Sequence, residues 1–296
     1  MDLSLHAARR APALGQDARA RLAWRPPVLI HPARIVLRGG ATETSLDPSR
    51  DYVVVLPRRR KVGATILEGG HNILLRGGYI TIPRRTPPGA ENDQFRRAIY
   101  IKNNTGTVHI EGVKIDGSGG GQSDGIAINS PLSVVQVENV RVTGLTGTDR
   151  GFHSDVIQPW GGVRALRVDR LTGTTDYQGL FLPTELGPIG TADLRHVNLS
   201  STTARSGVVL LWLTGVNACS VYPLRISNLY VEAHDRRGSL RSVYPRPGTR
   251  FGCPAILRRG GSLTWPALPV RGVVHVGKPP GGDFVPAGVA GIHYRG

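Results

Sequence analysis

The strongest constraint on this chain is a short motif that recurs along it: apolar-x-apolar-x, then a polar or small residue, then apolar-x-apolar. It reads Val108-His109-Ile110-Glu111-Gly112-Val113-Lys114-Ile115, and again Val135-Gln136-Val137-Glu138-Asn139-Val140-Arg141-Val142. Further copies are Leu166-Arg167-Val168-Asp169-Arg170-Leu171, Leu194-Arg195-His196-Val197-Asn198-Leu199 and Leu224-Arg225-Ile226-Ser227-Asn228-Leu229-Tyr230-Val231, with a looser one from Ile73 to Ile82. If Val113, Val140, Leu171, Val197 and Leu229 are equivalent, the intervals are 27, 31, 26 and 32 residues. Self-similarity at such a period is the mark of a repeat architecture. Unequal intervals exclude a strict tandem array but suit strands that keep register while the loops between them change length. The alternation sends every second side chain inward, and the Asn, Asp, Gly or His in the middle marks a tight bend.

A second strand recurs between the copies: Gly125-Ile126-Ala127-Ile128-Asn129, Val156-Ile157-Gln158-Pro159, Gly179-Leu180-Phe181-Leu182 and Gly207-Val208-Val209-Leu210-Leu211-Trp212. Two or three stacking strands per turn describe an all-β right-handed parallel β-helix, whereas a β-sandwich would show antiparallel hairpins. Gly 39 and Pro 22 against 6% aromatic residues favour many turns and short elements. The expected organisation is an N-terminal cap over 1–50, coils over 51–235 and a loop-rich closure over 236–296. The cap includes a helix over Asp2–Ala23 that Arg25-Pro26-Pro27 ends, and the closure a last strand near Val273-Val274-His275-Val276.

The formal charge of +16 would attract polyanions. The basic residues are nearly all Arg and scattered, with no interleaved stacking aromatics and no nucleic-acid-binding signature, so a nucleic-acid partner is not expected. No apolar run reaches membrane-spanning length. Cys219 and Cys253 are too few for a disulfide scaffold or a structural zinc site, although one disulfide between them is open.

Aligning the second strand set places Gln122-Ser123-Asp124, His153-Ser154-Asp155, Asp176-Tyr177-Gln178 and Ala204-Arg205-Ser206 at equivalent positions. Strands about 4.8 Å apart would then bring Asp124, Asp155 and Gln178 into one row, and His153 and Asp176 into another. Such a patch could remove one proton and deliver another. The expected catalytic groups are His153, Asp155, Asp176 and Asp124. Gln158, Trp160, Tyr177, Gln178, Arg205 and Glu185 are the expected substrate contacts, Trp160 as a platform for a sugar ring and Glu185 as a rim residue or third acid. Polar ladders also stabilise coils without any chemistry, and Trp212, continuing an apolar run, reads as core. No cofactor is required; Asp116 with Asp124 is the one calcium option, since loop oxygens suit that ion.

The stretch His153-Ser154-Asp155-Val156-Ile157-Gln158-Pro159-Trp160, with the coil motifs over residues 50 to 235, resembles the pectate-lyase-like superfamily of bacterial β-helix proteins. That resemblance implies chemistry on an extracellular polysaccharide or oligosaccharide, by a lyase, glycoside hydrolase or epimerase. The Asn-Thr-Asp, Asp-Asp and Gly-His-Gly motifs of polygalacturonase-like hydrolases are absent, as is the Asp-Pro-His-Asp/Glu motif of alginate epimerases. The specific reaction is therefore open. A non-catalytic glycan-binding or scaffold β-helix is an alternative. A third reading is an intracellular enzyme on a small metabolite, because residues 1–23 hold no signal-peptide core and leave a cytoplasmic location open. Neither the substrate nor the oligomeric state is encoded legibly.

Overall fold

The computed structural model describes residues 22–84, 94–204, 207–213, 222–234, 238–245 and 257–295. The expected helix over Asp2–Ala23 falls almost wholly outside them, and Arg205, Cys219 and Cys253 lie outside as well.

The protein is all-β, and its strands pair mostly in parallel. They form three ladders. The first runs through Ala33–Val36, Tyr52–Val55, Ile73–Arg76 and Thr107–Glu111, then residues 134–138, 165–169 and 191–195, and on to 224–227. The second contains Lys61–Val62, Tyr79–Thr81 and Lys114–Asp116, then residues 140–142, 171–173, 197–199 and 229–231, and ends on Val274–Val276. The third contains Thr42–Leu46, Thr65–Gly69 and Arg97–Lys102, then residues 124–129 and 155–158, Gln178–Phe181, Val209–Trp212 and Val243–Tyr244. From Tyr52 onward the chain visits the ladders in the repeating order first, second, third. This arrangement is compatible with a β-helix-like fold. The antiparallel pairings among the described residues lie near the C-terminal end, where Leu257–Arg259 pairs with Ser262–Thr264 and that strand with Val274–Val276.

The register bears out the repeat alignment. Lys114 faces Arg141, which sets Val113 against Val140; Val140 faces Leu171, Leu171 faces Val197, and Val197 faces Leu229. The bend between the first and second ladders is left-handed at each copy: Gly112 (φ 67), Asn139 (φ 53), Arg170 (φ 52), His196 (φ 47) and Asn228 (φ 56). Asn and Gly tolerate this backbone region and Arg does so less readily, so Arg170 is held there by its neighbours' pairing. At Gly112 a Cβ would also stand 2.1 Å from the Tyr294 ring, so glycine is required twice over.

Inward residues form one continuous core. Ile126, Ile157, Leu180 and Leu211 from the third ladder meet Val135, Val137, Val140 and Val142 from the others, all fully buried. Burying each contributes about 1.5–3 kcal/mol, and Ile126→Ala would cost about 2–5 kcal/mol through the cavity it leaves.

Both ends of the described chain pack against the ladders. The Ala23 and Trp24 amides donate to the Glu138 carboxylate (3.0 and 2.9 Å), and the Ile30 amide to Asp51 (2.7 Å). From the other end, Arg141 pairs with Asp283 (2.8 Å), the Val285 amide donates to Thr172 (3.0 Å), and Gly291 exchanges backbone bonds with Gly112 and Gly78. The C-terminal segment thus runs back across several strands of the ladders and ties them together. The strand expected near Val273–Val276 is present as Val274–Val276, inside the second ladder.

Candidate functional site

On the third ladder Asp124 faces Arg97 and Asp155 faces Gln178, while the pairing of Ile126 with Ile157 sets the two acids at equivalent positions on neighbouring coils. The expected row of Asp124, Asp155 and Gln178 therefore exists. Its side chains are almost wholly buried: both carboxyls have no exposed surface and Gln178 is 4% exposed.

The Asp155 amide donates to Asp124 Oδ1 (3.0 Å), so the Asp124 carboxyl leans toward the next coil. Arg97 Nε stands 3.6 Å from Asp124 Oδ2, an ion-pair distance too long for a hydrogen bond. Among the described residues neither oxygen of Asp155 has a hydrogen-bond partner, nor does Oε1 of Gln178. An isolated buried carboxylate is so costly that the group takes up a proton instead. Burial pushes the Asp124 carboxyl up to about 7, although Arg97 and the Asp155 amide pull it down. Burial first, and the Asp124 charge second, hold Asp155 well above the usual carboxylate range. The two carboxyls act on each other through charge, so ionising one opposes ionising the other.

Arg97 also lies over the rings of Tyr100 (4.8 Å) and Trp160 (5.5 Å), whose centroids are 6.4 Å apart. Trp160 is half-buried in this packing and its indole N–H has no partner among the described residues. Further along the same ladder, Phe181, Trp212 and Tyr244 are register partners. Their rings make a continuous row, with centroids 5.1 and 5.0 Å apart. Trp212, read from sequence as core, is half-exposed in this row; the core position is its neighbour Leu211, which pairs with Leu180.

The remaining expected residues are dispersed around this row. His153 is exposed; its ring lies 5.3 Å from that of Tyr177, and Nε2 is 3.4 Å from the Asp149 carbonyl. Asp176 Oδ1 accepts the Gly147 amide (2.9 Å) and its own amide donates to Leu145, so it fastens a loop. His153 and Asp176 are thus each held by a contact of their own. Tyr177 is 9% exposed. Gln158 pairs in register with Ala127 and is half-buried, and Glu185 is exposed on the turn after Phe181. Gln178 faces Val209, not Ser206, so the last copy is offset by three residues from the sequence alignment.

Asp116 accepts from the Tyr79 hydroxyl (2.5 Å) and the Ser118 amide (3.0 Å), and it lies on the second ladder, away from Asp124 on the third. Among the described residues no three His, Cys, Asp or Glu side chains group to hold a metal.

Neither a protein-family model, nor a curated protein, nor a solved structure matches this chain. The functional reading therefore rests on geometry.

Sequence reasoning missed a second set of buried charges, on the outer side of the first ladder. One register row holds Arg76, Glu111, Glu138, Asp169 and Arg195. Glu111 accepts from Tyr294 (2.6 Å), Arg76 (3.2 Å) and His109 (3.2 Å), and Asp169 Oδ1 lies 2.6 Å from His196 Nδ1. The signal was present in the aligned copies: Glu111, Glu138 and Asp169 all stand one position before the left-handed bend.

Proposed function

We propose that the chain is a right-handed parallel β-helix of the pectate-lyase-like kind, acting on a glycan by acid/base chemistry at the outer side of its third ladder. The right-handed sense follows the near-universal preference of parallel strand connections. The observation that carries the functional reading is the Asp124–Asp155 pair, buried on neighbouring coils with the Asp155 carboxyl unpartnered. Strongly perturbed carboxyls arise where a fold keeps a proton for transfer.

Glycosidic cleavage needs an acid that is still protonated near neutrality to meet the leaving oxygen, and a second group to act as base or nucleophile. Asp155, kept protonated by burial, and Asp124, which Arg97 helps to ionise, would supply the two roles, with Arg97 orienting Asp124. Strands one coil apart, about 4.8 Å, are nearer to the separation of a retaining hydrolase pair than to that of an inverting one. Phe181 and Trp212, backed by the buried Tyr244, offer the stacking faces on which sugar rings would lie, and the resemblance to pectate-lyase-like proteins favours an extracellular polysaccharide as substrate.

A second reading, glycan binding without cleavage, is favoured by one specific observation: the acids have no exposed surface, while Phe181 and Trp212 do. Incubation with a panel of neutral and acidic polysaccharides, read by new reducing ends and by ultraviolet absorbance of unsaturated product, separates the two. Reducing ends that vanish in Asp155→Asn and Asp124→Asn support a hydrolase, and unsaturated product that vanishes likewise supports a lyase. Turnover that survives both substitutions would refute the proposed site. Binding lost in Trp212→Ala, with no turnover in any variant, would establish the second reading.

A further inference from the structure

A pocket of about 540 Å³ opens on the outer side of the first ladder, on a different ladder from the Asp124–Asp155 pair and independent of the reading just given. Its size falls in the range of small-ligand sites. Four charged residues that line it form one register row: Arg167 faces Asp193, Asp193 faces Arg225, and Arg225 faces Arg271. Trp24 forms another wall.

The charges in this row are unbalanced. Asp193 is already neutralised by a two-pronged contact with Arg195, at 3.0 and 2.7 Å. Arg195 in turn lies over the Trp24 ring, 4.7 Å from its centroid, which sets the indole against the pocket. Arg225 and Arg271 are exposed, and neither has an ion pair among the described residues; Arg167 is half-buried beside the Gln136 amide. The pocket therefore presents three guanidinium groups whose acidic neighbour is used elsewhere. Adjacent coils are about 4.8 Å apart, so Arg225 and Arg271 stand one step apart and Arg167 two steps from Arg225. Guanidinium forks match carboxylate, sulfate and phosphate oxygens in pairs.

We propose that this pocket binds a ligand carrying at least two oxyanion groups spaced along the stacking direction, with Arg225 and Arg271 holding one group, Arg167 the other, and Trp24 flanking the part between. Carboxylate, sulfate and phosphate share this chemistry, and the competing sources are distinguished by the probe.

The test is calorimetric titration of the full-length protein with tripolyphosphate and, separately, with a trimeric uronate, alongside Trp fluorescence. The expected result is saturable one-to-one binding of at least one probe. It should weaken tenfold or more in Arg225→Gln/Arg271→Gln and be unchanged in Arg59→Gln, an exposed arginine outside the pocket. A fluorescence change lost in Trp24→Phe would place the ligand against this indole. Tighter binding of tripolyphosphate would support the proposal with phosphate as the source, and tighter binding of the uronate would support it with carboxylate. Absence of saturable binding by either probe, or an equal loss in Arg59→Gln, would overturn it, because the attraction would then be that of the whole +16 charge.

Discussion

The first and third ladders bury carboxyl groups to the same depth and treat them in opposite ways. Glu111, on the first, is fully buried yet receives three hydrogen bonds, from Tyr294, Arg76 and His109, and these hold its carboxyl below the usual range against the effect of burial. Asp155, on the third, also has no exposed surface and receives none among the described residues. Glu138 is intermediate: two backbone amides bond to it, but burial pushes it up to about 7. A fold able to satisfy Glu111 so completely has the means to satisfy a buried acid. The unpartnered Asp155 carboxyl on the third ladder is therefore the exception that the proposed site has to explain.

The largest expected effect comes from breaking the satisfied side. Glu111→Ala strands Arg76, His109 and the Tyr294 hydroxyl around a cavity, and should lower the unfolding free energy by about 3–5 kcal/mol in urea titrations. Asp155→Asn should do the opposite above neutral pH. Removing an ionisable group that burial disfavours should raise stability at pH 8, read as a higher urea midpoint. A loss of stability like that of Glu111→Ala would erase the contrast between the ladders.

The pH profile sharpens the same comparison. Both third-ladder carboxyls have a folded-state pKa raised above 3.8, Asp124 to about 7. The folded protein then binds more protons than the unfolded chain from about pH 4 to about pH 7. Stability contributed by the pair is full below pH 4 and is lost as pH rises through 7. Thermal melts across this window should show the decline, and Asp124→Asn/Asp155→Asn should flatten it. Smaller still is Tyr294→Phe, which removes one bond to Glu111 and one from Asn139 and should cost about 1–2 kcal/mol.

The sequence carried the coil register well because inward apolar residues and left-handed bends repeat together. Gly112, Asn139, His196 and Asn228 could be read directly as bends, while Arg170 is a residue type with no such preference. The Asp124, Asp155 and Gln178 row was legible because the strands beside it have regular spacing. His153 and Asp176 lie in loops just before strands, where equal spacing does not fix the direction of a side chain. Trp212 was misread because a continuous apolar run, Val208 to Leu213, has no period of its own. Only the cross-ladder pairing of Leu180 with Leu211 decides which face each residue takes. Arg97 and the terminal segments that cover Glu138 and Glu111 act over separations such as Ala23 to Glu138 and Glu111 to Tyr294, which no local pattern records.

The most direct test of the account is the carboxyl carbon titration of Asp124 and Asp155, followed by nuclear magnetic resonance in protein labelled at aspartate and assigned with the two asparagine variants. The account predicts that at pH 6 the pair still holds a proton and that its carboxyl signals move only near or above pH 7. Full ionisation of both residues by pH 5 would contradict it, since the pair would then be an ordinary, satisfied part of the coil.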